Sequence, residues 1–189
     1  WATFALLVWA TILRLRFDRA KLLVVLSDGA GWVKSLAEWL PVKTFLILDL
    51  YHAKRRIWEV AHSLYGDHSA QAKRWATVQC ERVENGQVTK VIEALRFLKP
   101  QRAETRDLAD KLAEYFNNNR GRMDYPSYRA KGFRISSGAV ESANSHVTGT
   151  RLKLQGMRWS AEGAGQMAGL RADLFNGRWE ARTRQLLTG

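Results

Sequence analysis

Cysteine is nearly missing. Cys80 is the one cysteine in 189 residues, which rules out an internal disulfide and a thiolate metal cluster and fits a reducing compartment. Proline is scarce as well, three in the whole chain, and no low-complexity or Pro-rich tract divides it. Acid is in deficit: 18 Asp and Glu stand against 30 Lys and Arg, a formal charge of +12 with an isoelectric point near 10.3. That balance favours a polyanionic partner such as nucleic acid over a neutral one, although a merely soluble basic protein carries the same sign. Long apolar runs are absent too. Trp1 to Leu13 is almost wholly apolar, but Arg14, Arg16 and Arg19 interrupt it well short of the roughly 20 residues that span a bilayer, and no basic residue precedes it as a signal peptide requires. The expectation is a buried core helix, no membrane, and a cytoplasmic place. There is no initiator Met at Trp1, so further residues are expected upstream.

What remains is an ordinary globular composition, 46% hydrophobic and 25% charged, with no internal repeat and enough length for one sizeable core. Apolar periodicity predicts a helix over about 2–16, a strand at 22–27, a helix at 30–39 stopped by Pro41, and a strand at 44–48. After Asp49 the spacing becomes helical for a long way. Ile57, Val60, Ala61 and Leu64, then Val88, Val91, Ile92 and Leu95, then Leu108, Leu112, Tyr115 and Phe116 recur every three or four residues, punctuated by Gly66, Asn85-Gly86 and Pro100. The stretch 117–137 reads as a polar, basic and aromatic loop, and helices resume at 138–154, 161–175 and 178–187. The fold class is therefore α/β and mostly helical.

Strand, short helix, strand is a βαβ unit, which makes the strands parallel and puts their carboxyl ends on one edge. Asp28 and Asp49 follow those two ends, where open α/β folds place ligands. Each also precedes a helix and is a good N-cap, so capping and chemistry both stay open. A third acid lies in "SSGAVESANSHVTGTRLK". Val140, Ala143, Val147 and Leu154 share one face of the expected helix, with Glu141 on the opposite, polar face, where it equally suits the positive end of the helix dipole. Acids at a strand end and on a helix in a basic protein match what metal-dependent phosphoryl transfer requires. Mg²⁺ takes carboxylate oxygens plus water and phosphate, and a pair of such ions serves both the attacking and the leaving oxygen.

Three blocks in order, "VVLSDGAGWVKSLAEWLP", "FLILDLYHA" and "SSGAVESANSHVTGTRLKLQGMRWSAEGAGQMAGLRADLFNGRW", resemble the DDE transposases of ISKra-type bacterial insertion sequences, relatives of the Mutator-like group. The resemblance implies an RNase H-like fold with an all-helical insertion, here a partial core over 1–52, the insertion over 53–120, and a basic loop with C-terminal helices over 121–189. It implies Asp28 and Glu141 as catalytic acids and ligands of Mg²⁺ or Mn²⁺. Asp49 and His52 match an Asp-x-x-His signature near the active site. The family's first catalytic aspartate, its remaining strands and its amino-terminal DNA-binding region have no counterpart in these residues and are expected upstream. The function implied is DNA strand cleavage and strand transfer at transposon ends in a bacterial, nucleoid-associated setting, by a homo-oligomer on DNA. The rival reading is a DNA- or RNA-binding remnant without catalysis.

Between 120 and 158, Arg120, Arg122, Arg129, Lys131, Arg134, Arg151, Lys153 and Arg158 face only Asp124 and Glu141. Such cations supply phosphate contacts to double-stranded DNA without reading sequence. The interleaved Tyr125, Tyr128, Phe133 and Trp159 are expected to stack on unpaired bases, with a half-buried core position as the competing expectation for Trp159.

Overall fold

The computed structural model describes residues 1–188. Its first helix, α1 (Ala2–Arg14), is apolar on nearly all sides, yet only Ala5 and Ile12 are buried. They meet Leu36 and Leu40, from α2 (Gly31–Trp39) and the residue after it. Phe4, Leu6, Leu7 and Leu13 stay exposed, which corrects the expectation of a buried core helix. One packed stripe covers one face, and α1 has more apolar surface than that stripe can hide. α2 ends at Leu40, whose backbone is extended, as the residue before a proline prefers.

The β-branched and leucine runs form β1 (Leu23–Ser27) and β2 (Thr44–Leu48). They pair in parallel, with Leu23 opposite Thr44 and Ser27 opposite Leu48. The ladder continues one step further, because the Asp49 N–H donates to the Ser27 carbonyl at 2.8 Å. Asp28 and Asp49 thus leave the sheet at matching positions on one edge. The fold is mostly helical around this two-stranded parallel sheet.

Four helices follow: α3 (Leu50–Tyr65), α4 (Ala70–Glu84), α5 (Val88–Phe97) and α6 (Ala103–Asn119). The three-and-four spacing puts Ile57, Val60, Ala76, Val83, Val91, Leu95, Leu112 and Phe116 into one core, which also takes Ile47 and Leu48 of β2. The second strand and the helices are therefore one packing unit. α3 stops where Gly66 takes φ 84°, a left-handed turn that a Cβ would strain. Cys80 lies in the same core, and burial pushes its thiol up to about 11, so it is an inert apolar group at neutral pH.

The stretch expected to be loop, 117–137, is partly helical. α6 runs to Asn119, and α7 (Tyr125–Ala130) follows, with Asp124 capping it through the Ser127 N–H and Pro126 in its first turn. Tyr125 and Tyr128 are buried. The Tyr125 hydroxyl donates to the Leu48 carbonyl at 3.0 Å, and Tyr128 packs edge-on against Phe45 at 5.3 Å. These two tyrosines belong to the core and do not form a base-stacking platform. Six residues are too few for a helical period to show among so many polar neighbours.

Glu84 ties three helices together, accepting from Lys54 of α3 and, at 3.4 Å, from Arg129 of α7. The hydrogen bond from Lys54 leads in holding its carboxyl below the ordinary value of 4.5. A carboxylate lowered in the folded state adds stability above its unfolded pKa, and that gain is lost as pH falls through the folded value. Glu84→Gln should therefore melt below the wild type at neutral pH, with the gap closing as pH drops below about 4.5. Parallel melting curves across that range check this, and a gap that does not depend on pH would remove the ion pair from the account.

A second compact unit begins at Gly138. The continuous helix expected over 138–154 is broken into α8 (Gly138–Asn144), a π-helical turn (Ser145–Gly149) and α9 (Thr150–Leu152). The wider turn shifts the helical phase, and Val140 and Leu154 are 65% and 50% exposed, so the expected apolar stripe is not a buried face. α10 (Ala161–Phe175), capped by Ser160, and α11 (Trp179–Thr188) complete the unit. Arg171 of α10 takes up carbonyls that the π turn leaves over, donating from Nε to Val147 at 2.9 Å and from Nη2 to His146.

Candidate active site at the sheet edge

The two strand-end aspartates have different jobs. Asp49 is 2% exposed and caps α3, with Oδ1 accepting from the Tyr51 N–H at 2.9 Å. The same oxygen accepts from the Ser137 N–H at 3.1 Å, and Oδ2 accepts from the Ser137 hydroxyl. Beside these bonds the Leu50 N–H donates to the Ile135 carbonyl at 3.0 Å. Asp49 thus fastens residues 135–137 to the end of β2. His52 stands one turn on, with Nε2 at 3.9 Å from Asp49 Oδ2 and its ring edge-on to Tyr51.

Asp28 is exposed and caps nothing helical. α2 starts at Gly31 with Ala30 as its N-cap and no side-chain bond. Asp28 Oδ1 accepts from the Ala30 N–H at 3.1 Å, a local Asx-type turn, and leaves the carboxylate facing solvent. The turn itself is held hard. Gly29 sits at φ 89°, where a Cβ would come within 3.0 Å of Asn119 Oδ1, a Leu48 methyl carbon and the Tyr115 ring. The Tyr115 hydroxyl donates to the Asp28 carbonyl at 2.7 Å. α6 therefore fixes the backbone that presents the Asp28 carboxylate, a link from a helix nearly ninety residues on that no sequence spacing reveals.

Charges of both signs gather around Tyr115. Burial raises its phenol above the ordinary value of 10, Asp28 and Asp49 push the same way, and Arg56 and Arg122 pull against them. The Arg56 guanidinium lies over the Tyr115 ring at 4.2 Å. Arg122 is half-buried, with Nη2 on Asn119 Oδ1 and Nη1 buried without a hydrogen-bond partner among the described residues. Sequence reasoning singled out neither Tyr115 nor Arg56 for the site, since both fall inside helical periods that explain them as packing or solvated face.

In the second unit, Glu141 is exposed in the first turn of α8. Among the cations chosen from sequence, Arg120 donates to Thr89 at 2.6 Å and Arg129 to Glu84, so these two are engaged within the fold. Lys131, Arg134, Arg151, Lys153 and Arg158 are exposed, as is Trp159 at 38%. A hard cation takes carboxylate oxygens, and the Asp28 carboxylate fits that donor type. Among the described residues no three His, Cys, Asp or Glu side chains form a group that could hold a metal ion. No helix among them is long and apolar enough to cross a membrane.

A family model described as "Uncharacterised protein family (UPF0236)" matches residues 12–185. The chain is similar to UPF0236 protein TTE2489 of Caldanaerobacter subterraneus subsp. tengcongensis, 26% identical over 160 residues, which is 85% of this chain and 32% of that protein. A second relative in the same strain shows the same identity and the same coverage, and its name joins eleven TTE designations. The chain spans about a third of the length of these curated relatives. No solved structure matches it.

Proposed function

The chain belongs to the UPF0236 family, and from that premise we propose that it is part of the catalytic region of a DNA transposase of the DDE type, with an RNase H-like core. The observation that carries this reading is Asp28: an exposed carboxylate at the carboxyl edge of a parallel strand pair, on a turn braced by Gly29 and Tyr115 and not used as a helix cap. Rigid presentation of a solvent-facing acid suits a ligand and has no use in a helix start. The +12 charge supports a polyanionic substrate. The eleven designations under one relative's name support it too, because one protein at many places in one strain is what a self-copying element leaves behind.

In this reading Asp28 and Glu141 would each serve as a ligand for Mg²⁺ or Mn²⁺, with a further aspartate from the preceding part of the longer protein. Such ions would supply activation of the attacking oxygen and stabilisation of the leaving one. Asp49 carries structure at the same edge, and His52 stands against it. The exposed cations Lys131, Arg134, Arg151, Lys153 and Arg158 hold DNA phosphates without reading sequence. The setting is the bacterial nucleoid, with the protein acting as a homo-oligomer on transposon ends.

The +12 charge and the exposed cations suit equally a second reading, a DNA- or RNA-binding module without catalysis. One assay separates the two. The full-length protein, incubated with a duplex bearing the element's end, should nick it and join the 3′ end to a target duplex when Mg²⁺ or Mn²⁺ is present, and should stop on adding EDTA. Binding without cleavage under both metals would leave the module reading in its place.

A further inference from the structure

Lys54, Arg55 and Arg56 are consecutive on α3, and two of them are committed. Lys54 pairs with Glu84, and Arg55 pairs with Glu59 at 3.3 Å. Arg56 is exposed and forms no salt bridge among the described residues; its guanidinium carbon instead sits over the Tyr115 ring, 4.2 Å from the centroid. Stacking of this kind fixes the plane of the guanidinium while leaving its N–H donors directed outward along that plane. Those donors match the two oxygens of a phosphodiester. The ring beneath is the one whose hydroxyl donates to the Asp28 carbonyl, so Arg56 stands one aromatic ring away from the Asp28 turn.

We propose that Arg56, held by Tyr115, is a DNA phosphate contact adjoining Asp28, supplied by the helical region between the second strand and Glu141. This rests on the transposase reading above and adds a contact on a helix outside the basic stretch 120–158. The physical case is one of orientation. A mobile surface arginine gives up side-chain freedom when it grips a phosphate. Arg56 has already given up much of it to the ring, and a phosphate it meets would lie beside the Asp28 turn. Arg122, half-buried and close enough to lower the pKa of the same phenol, adds positive potential there, its Nη1 being buried.

The test is the salt dependence of binding of the full-length protein to a short DNA duplex, followed by fluorescence anisotropy. Each phosphate neutralised contributes about 0.9 to the slope of log K against log salt. Arg56→Ala should weaken binding evenly across unrelated duplexes and lower that slope by about one. Arg55→Ala, an equal loss of charge one residue away, should leave the slope unchanged. Tyr115→Leu, which removes the ring, should weaken binding in the Arg56 background no further than Arg56→Ala alone. Melting curves confirm that the variants fold, and Arg56→Lys serves as a second probe, expected to bind more weakly than wild type because an ammonium neither stacks nor forks. If the wild type binds and Arg56→Ala keeps its slope, or Arg55→Ala loses as much, this inference is overturned while the functional reading stands. If the wild type binds no duplex at all, both fail. An Arg56 effect confined to the same duplex made of RNA would overturn the assignment to DNA.

Discussion

Replacing Asp49 by Ala should unfold this chain at temperatures where the wild type is intact. The carboxylate is buried and serves the Tyr51 N–H, the Ser137 N–H and the Ser137 hydroxyl. Loss of an N-cap costs about 1 kcal/mol, and each further buried donor left without a partner costs about 1–3 kcal/mol. The sum, about 3 kcal/mol or more, is a large share of the roughly 5–15 kcal/mol that holds a domain together. At this chain length it lowers the melting temperature by about 10 °C. Asp28→Asn is the control. Asn keeps the single bond to the Ala30 N–H at an exposed position, where substitutions shift stability by about 0.5 kcal/mol or less. Thermal melting of the two variants beside the wild type decides the matter. An Asp49→Ala chain that melts with the wild type would show that the bonds to residues 135–137 carry no weight.

That contrast was only half legible in the sequence. Both aspartates follow an apolar strand and precede a helix, and from one dimension each is a fair cap. The difference comes from partners distant in the chain. Ser137 comes back to Asp49 from 88 residues away, and Tyr115 comes back to Asp28 from 87. The strands and the long helices could be read directly, because β-branched runs and three-and-four spacings are local properties. The parallel pairing followed from the short crossover alone. α7 escaped because six residues hold less than two turns, and its tyrosines looked like surface aromatics until the Leu48 carbonyl supplied Tyr125 with a partner. α1 misled in the other direction: apolar composition says a helix seeks cover, and the structure gives it a single covered stripe. The break at Ser145–Gly149 was hidden because a π turn costs one residue of phase, which a pattern of four apolar positions is too sparse to register.

On the transposase reading, Asp28 and Glu141 do chemistry. If Asp28 is a ligand, exchanging one carboxylate oxygen for an amide removes the charge that a hard cation requires and leaves the turn, Gly29 and the Tyr115 bond in place. Glu141→Gln does the same on α8, where the side chain is exposed. Loss of transition-state stabilisation at a metal-binding acid is large: about 4 kcal/mol, which is a thousandfold in rate. The decisive measurement is strand transfer by the full-length protein on a transposon-end duplex with Mg²⁺ or Mn²⁺, run for wild type, Asp28→Asn and Glu141→Gln, with a melting curve for each. Both variants are expected to melt with the wild type and to lose transfer at least a thousandfold. Transfer near the wild-type rate in either variant would contradict the role given to that residue.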